Sequence, residues 1–318
     1  MKKFLVRLAI FSVCNLGLFL VFVFLSSWLA RQQNDFSIKQ DTKFIILGHS
    51  HSECAYNDTL IDNFENFSQS GESYFYSIPK LEEIIRSNPQ VKTVFLECTN
   101  NQMTGNVEEW IYGKKYLGYY YANYFPYIGF RSDFFIIGNQ PAEYSRNFSI
   151  VCKDMLKKCI SKHKIPYEYG GYKGVQGTLH SYQKDSSKHT NEDFVQIKKG
   201  ISEVQLNLLK EISNFLTDKK IELILIRTPQ HSSYQGFANE DEYKKVIETE
   251  FSEVKFIDLV NFPLSDTDFR DPEHLNTKGA EKISGWMNKF LKEDFSMVFH
   301  NQKHVSYQYI NESKITKK

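Results

Sequence analysis

Three patterns of apolar residues divide the chain. The first is unbroken: from Leu8 to Ala30 the sequence reads LAIFSVCNLGLFLVFVFLSSWLA, with Asn15 its only strongly polar member. About 20 apolar residues suffice to span a bilayer, and no polar face is left for a helix half-buried in a soluble core. The second pattern is a set of short apolar runs at Lys43–Leu47, Val91–Glu97, Ile221–Ile226 and Val254–Leu259, with a further short strand expected around Phe64–Ser68. Runs of this length suit strands buried on both faces of a parallel sheet. The third is helical spacing at residues 77–88, 202–217, 240–250 and 277–292. Pro79 falls in a first turn, where it is tolerated, and Asn88-Pro89 supplies a stop.

Strands alternating with helices predict an α/β domain with crossover helices. Residues 1–30 form a short cytoplasmic end plus anchor, 31–42 a polar linker, and 43–296 the α/β domain. Residues 102–200 break the rhythm and read as an insertion bordering a site. Within it a helix is expected at 145–162 and loop at 164–195. The aromatic run from Trp110 to Phe130 has three readings: core packing, stacking on sugar rings, or contact with lipid headgroups. The tail, 297–318, is polar and expected to be loosely ordered.

Charge settles orientation and excludes one class of partner. Lys2, Lys3 and Arg7 precede the apolar span and only Arg31 closely follows it. This places the N-terminus in the cytoplasm and the rest outside, on the periplasmic or cell-surface side. A cleaved signal peptide is the competing reading, but the span exceeds a usual h-region and Ser-Trp-Leu-Ala is a poor cleavage site. Net charge is +1, so no nucleic-acid partner is expected. Of the five cysteines, Cys14 lies in the span, while Cys54, Cys98, Cys152 and Cys159 lie beyond it. Cys54 and Cys98 each follow a strand and are either paired or free buried thiols. No Cys/His ligand spacing occurs, so neither metal nor cofactor is expected.

The candidate chemistry begins at Gly48-His49-Ser50-His51, at the carboxyl end of the first strand, the edge where open α/β sheets place their sites. A serine hydroxyl needs a neighbouring base, usually a histidine oriented by a third group. Asp271-x-x-His274, just before the last long helix, supplies both. Asn276 or Thr277 caps that helix. Arg227 and His231 follow the strand at 221–226 and fall on the same edge. Arg227 either holds an anionic group or pairs with an acid such as Glu97 or Glu53. His49 and His51 are placed to contact substrate or to make structural polar contacts.

Gly48-x-Ser50, Ser70-Gly71-Glu72-Ser73, Thr99-Asn100-Asn101 and Asp271-x-x-His274, in that order, resemble the four sequence blocks of the SGNH (GDSL-like) hydrolase superfamily. The resemblance covers roughly residues 43–294. It implies a three-layer α/β/α fold of flavodoxin type. Ser50 would be the nucleophile, with His274 as base oriented by Asp271. The N–H groups of Ser50 and Gly71 and the Asn100 amide would form an oxyanion hole. His49 stands where the family usually has an acidic residue. Cys98 and Asn101 replace the Gly and Asp that usually flank the Thr-Asn pair.

The architecture also looks like that of membrane-anchored acyl-transfer proteins of the D-alanyl-teichoic-acid type. What this implies is a serine-dependent acyl-ester hydrolase or O-acyltransferase acting on an acylated cell-envelope glycan or polymer. A multispanning acyl-transporting membrane protein would be its partner. The alternative is a non-catalytic glycan-binding or scaffold subunit of the same fold.

Overall fold

In the computed structural model, residues 1–33, 36–105, 107–160, 169–185, 200–293, 298–300 and 302–315 are described. The chain runs α1 (Lys2–Gln33), β1 (Phe44–Leu47), α2 (Ser50–Ala55), β2 (Phe64–Asn66), α3 (Tyr74–Ser87), β3 (Thr93–Glu97). It continues α4 (Glu109–Tyr112), α5 (Lys114–Tyr124), α6 (Phe130–Asn139), α7 (Pro141–Ile160), α8 (Leu179–Asp185). Then follow α9 (Glu203–Asp218), β4 (Glu222–Arg227), α10 (Glu240–Glu250), β5 (Lys255–Asp258), α11 (Thr277–Lys292), β6 (His304–Ser306) and α12 (Tyr307–Ile315). Two compact units result: Met1–Phe36 with Tyr112–Glu168, and Ser37–Ile111 with Tyr169–Lys318.

The second unit is α/β. Its six strands pair in parallel in the order β2-β1-β3-β4-β5-β6. Alternate strand residues point to opposite faces. Ile46, Phe95, Ile224, Ile226 and Ile257 form one cluster with Ile283, Met287 and Phe290 of α11 and Ile310 of α12. Ile45, Leu47, Val94, Leu96 and Leu225 are fully buried on the other face, the side of α3 and α9, which pack on each other. Strands covered on both faces explain why they read as continuous apolar runs. The chain steps outward from β1 to β2, then back past β1 to β3. Such a reversal opens a crevice at the carboxyl ends of the strands, between β1 and β3.

Two regions differ from the sequence reading. The polar tail contributes β6, which pairs with β5, and α12. A few apolar positions anchor it: Val305 is 3% and Ile310 0% exposed, and Tyr307 packs edge-on against Phe262 at 4.6 Å. In the region 102–200 the helix expected at 145–162 is α7, with α4 to α6 before it, whereas α8 lies in the stretch expected as loop at 164–195, of which 164–168 and 186–195 lie outside the described residues. The two ends of the region meet: Thr104 and Ile201 form an antiparallel bridge, and Ser202 N–H donates to the Met103 carbonyl at 2.8 Å.

The first unit is helical. α1 is long and apolar enough to cross a membrane and is a candidate single-pass anchor. At 32 residues it spans about 48 Å. Its last turns bury Ser26 and Ala30, and Phe19 meets Phe148 of α7 at 5.9 Å. The aromatic run packs inward. Tyr120, Tyr121, Tyr124, Phe125 and Tyr127 are buried. Tyr120 stacks on Tyr124, Phe125 meets Phe148 edge-on, and Tyr121 Oη donates to Asp133 at 2.8 Å. Of the three readings of this run, packing accounts for these side chains.

Candidate functional site

The site is built on the turn after β1. β1 and β3 are adjacent and in register, with Leu47 opposite Leu96, so Gly48 comes level with Glu97. A Cβ on Gly48 would collide with the Glu97 side chain, which makes this glycine a requirement of close approach. Glu97 then organises the turn. Its Oε2 accepts the N–H groups of His49 (2.9 Å) and Ser52 (3.1 Å), and its Oε1 accepts the Thr228 hydroxyl (3.2 Å). Glu97 is fully buried, and burial pushes its carboxyl up against the opposing influence of His51 and the turn N–H groups.

Ser50 is the first residue of α2, where a helical N–H has no acceptor within its own helix. Its Oγ lies 2.7 Å from His274 Nε2, and His274 Nδ1 lies 2.9 and 3.1 Å from the two Asp271 oxygens. The loop carrying this pair is fixed locally. Asp271 Oδ1 also accepts the backbone N–H groups of Glu273 and His274, each at 2.9 Å. Phe269 and Leu275 bridge across the loop, and Arg270 N–H donates to the His274 carbonyl at 2.9 Å. Asn276, rather than Thr277, caps α11, accepting from the N–H groups of Lys278 and Gly279.

Burial alone would lower the His274 imidazole, but the hydrogen bond and charge of Asp271, with Glu273 beyond, carry it above its ordinary value. Burial opposes ionisation of Asp271, yet His274 and the two loop N–H groups hold its carboxyl below the usual range. An ionised Asp271 fixes the His274 proton on Nδ1 and leaves Nε2 to accept from Ser50. This is the arrangement that turns a serine into a nucleophile.

The other expected residues divide. Gly71 sits in the turn after β2 with φ of 73°, a backbone conformation suited to glycine, and Glu72 N–H closes that turn on the Gln69 carbonyl at 3.0 Å. Asn100 differs from the oxyanion role implied for it. It is fully buried, its Nδ2 donates to the Gly236 carbonyl and to Asn239 Oδ1, and its Oδ1 accepts from Arg227 at 3.4 Å. Arg227 is an internal ion pair. It donates to both Glu240 oxygens at 2.9 and 2.8 Å, lies 3.7 Å from Asp258, and packs over Phe237 and Tyr243. Glu97 and Glu53 are not its partners in these contacts. His231 braces the loops at the carboxyl edge of the sheet. Its nitrogens meet Ser233 Oγ (2.7 Å) and Asp266 Oδ1 (3.1 Å), and its N–H donates to the Pro272 carbonyl.

His49 and His51 are 1% and 2% exposed, which withdraws both from direct contact with a substrate. His49 Nε2 lies 3.0 Å from Thr99 Oγ1, and its ring meets Trp110 edge-on. Burial, with His51 and His274 nearby, pushes the His49 imidazole well below its ordinary value. His51 stands between His49 and His274, with ring centroids at 4.4 and 5.3 Å. Cys54, Cys98 and Cys152 are free thiols, and burial pushes Cys54 and Cys98 up to about 12. The Cys159 side chain lies outside the described residues.

One buried pair has no local signature in the sequence. Lys80 Nζ lies 2.7 Å from Glu72 Oε2, with both side chains at 0% exposure. Ser77 Oγ donates to Glu72 Oε1, and Lys80 also donates to the carbonyls of Phe67 and Tyr169. The eight-residue separation places Glu72 before α3 and Lys80 inside it, so helical spacing does not reveal the pair. It pins the Gly71 turn to α3 and to the glycine segment at 169–171.

A family model for an uncharacterised family matches residues 171–296, a stretch that contains Asp271 and His274 but not Ser50. No curated protein matches the chain.

Proposed function

We propose that the chain is a serine-dependent acyl-transfer enzyme of SGNH type. It would act as an ester hydrolase or O-acyltransferase on an acylated cell-envelope glycan or polymer. The observation that carries this reading is the continuous line from Ser50 Oγ to His274 Nε2 to Asp271. Ser50 Oγ attacks the acyl carbonyl and its proton passes to His274 Nε2. The tetrahedral intermediate collapses, the C–O bond to the leaving alcohol breaks, and His274 returns the proton to that alcohol. In the second half His274 takes a proton from water or an acceptor hydroxyl, which attacks the Ser50 ester; the acyl–Ser50 C–O bond then breaks and His274 returns that proton to Ser50 Oγ. With the Asn100 amide engaged elsewhere, the N–H groups of Ser50 and Gly71 are left to hold the oxyanion. One well-placed donor contributes about 3 kcal/mol in comparable sites.

In this reading α1 anchors the protein and the positive residues before it keep the N-terminus inside, so the α/β unit works outside the membrane. An acyl group delivered across the bilayer by a multispanning protein would then reach Ser50. Turnover of acetyl and longer acyl esters by the full chain in detergent, abolished in Ser50→Ala, is the expected result. A reporter active only in the cytoplasm, fused after Lys318, is expected to be silent. Activity from that reporter would reverse the orientation.

The committed Asn100 amide also favours a second reading, a non-catalytic subunit that binds glycan. Absence of ester turnover together with saturable binding of an acylated glycan would select it.

A further inference from the structure

We infer that His49, His51 and Glu97 form a binding site for a divalent transition-metal ion of the zinc type, directly behind the Ser50 turn. No local Cys/His spacing in the sequence marks a metal site. The ligands instead come from two neighbouring strands: His49 and His51 flank Ser50 after β1, and Glu97 ends β3.

The geometry fits a small ion. His49 Nε2 and His51 Nδ1 each lie 3.6 Å from Glu97 Oε1, and one ligand atom from each of the three residues lies within 4.8 Å of the others. Ligands bound at about 2.0–2.1 Å in a tetrahedron stand about 3.3–3.4 Å apart. The observed separations are therefore too long for direct hydrogen bonds and close to those an ion between them would set.

The chemistry of the donors points the same way. Glu97 is fully buried, and among the described residues its only ion-pair partners are these two histidines. Ionising a carboxyl in so buried a place is costly unless a cation lies beside it, and a metal ion there would supply that charge. His51 is 2% exposed, and among the described residues neither of its ring nitrogens has a hydrogen-bond partner. A buried polar group left unpaired costs about 1–3 kcal/mol. An ion on Nδ1 satisfies one nitrogen. The other, Nε2, faces Glu273 Oε2 at 3.5 Å, the carboxylate behind histidine that commonly orients a metal ligand. Thr99 Oγ1, 3.0 Å from His49 Nε2, or a water would complete the set.

A second group, His51, Glu273 and His274, is also close enough to share an ion. Both His274 nitrogens are already engaged, by Ser50 and Asp271, so that group would require dismantling the hydrogen-bonded line. The His49–His51–Glu97 set leaves that line intact: it breaks the His49–Thr99 hydrogen bond and shares Glu97 Oε1 with the Thr228 hydroxyl. Two imidazoles and a carboxylate suit zinc or a neighbouring first-row ion. The ion would join the ends of β1 and β3 and fix His51 against the His274 ring, a positioning role separate from acyl transfer.

The test is metal content of the full chain in detergent, stripped with chelator and reloaded with zinc. About one zinc per chain is expected, falling to background in His51→Ala and Glu97→Gln, with Ser50→Ala unchanged. Glu273→Gln is expected to weaken zinc binding about 10- to 100-fold. Cobalt loading of the unaltered protein gives a readout that does not depend on whether variants fold, and a four-coordinate absorption spectrum with histidine ligands is expected. Substoichiometric zinc, an octahedral cobalt spectrum, or full zinc retention in both ligand variants would each overturn the site. None of these readings requires ester turnover, so failure of the metal site and failure of the proposed activity are distinguishable.

Discussion

Ser50 Oγ and His274 Nε2 lie 2.7 Å apart although 224 residues separate them in the chain. The contact joins the first strand's carboxyl end to the loop before the last long helix. Neither residue is held by the other alone. Ser50 is placed by a turn that hangs on Glu97, and His274 by a loop that folds around Asp271.

Asp271→Asn tests the orientation of His274. The amide keeps an acceptor for the loop N–H groups but removes the charge that stabilises a protonated imidazole. A fall of about 10⁴-fold in ester turnover is expected with little loss of fold. Steady-state kinetics beside a thermal melt check both halves, and a variant with undiminished turnover would remove Asp271 from the mechanism.

Gly48→Ala tests the close approach of β1 to the Glu97 side chain. The added methyl overlaps Glu97, and relieving such overpacking costs about 1–3 kcal/mol. A lower denaturation midpoint is expected, because the His49 and Ser52 N–H bonds to Glu97 must shift. An unchanged midpoint would mean that the turn has slack that the fold does not show.

Lys80→Met tests the buried pair under the Gly71 turn. Burial lowers the Lys80 ammonium against the pull of Glu72, and removing the lysine strands a fully buried carboxylate. Destabilisation of about 3–5 kcal/mol is expected. The double variant Lys80→Met/Glu72→Gln should recover part of it, which urea denaturation can measure. Equal stability of all three proteins would show that the pair is energetically idle.

Glu240 carries an acid-side stability dependence. Burial raises its carboxyl, but the Arg227 hydrogen bonds and charge, aided by Lys244, bring it below the ordinary value. A carboxyl with a folded-state value below its unfolded value stabilises fully above the unfolded value. That contribution is lost as pH falls through the folded one. The melting temperature of the unaltered protein should therefore fall more steeply below about pH 5 than that of Glu240→Gln. The variant itself loses about 2 kcal/mol at neutral pH through its weakened bonds to Arg227. Parallel pH profiles would contradict the assignment.

Much of this arrangement is legible in the sequence because it is local or strongly patterned. The central strands β1, β3 and β4 are covered on both faces, so their composition alone marks them. Asp271 and His274 are three residues apart and need only one loop to meet. What is not legible depends on side chains meeting across elements. Asn100 looks like a free amide in a Thr-Asn-Asn turn, but Gly236 and Asn239, far along the chain, take its hydrogens. Arg227 looks available at the carboxyl end of a central strand, yet Glu240, at the start of the next helix, takes both its arms. The tyrosines of 112–127 count as both apolar and polar, so their helices show no clean stripe. β6 was hidden because a three-residue strand with one buried valine carries almost no periodic signal.

The most direct test is covalent labelling of the full chain in detergent with a fluorophosphonate, followed by mass analysis of the modified peptide. One adduct is expected, on Ser50, absent from Ser50→Ala and strongly reduced in His274→Ala. Labelling that persists in Ser50→Ala, or an adduct on any other residue, would contradict Ser50 as the nucleophile.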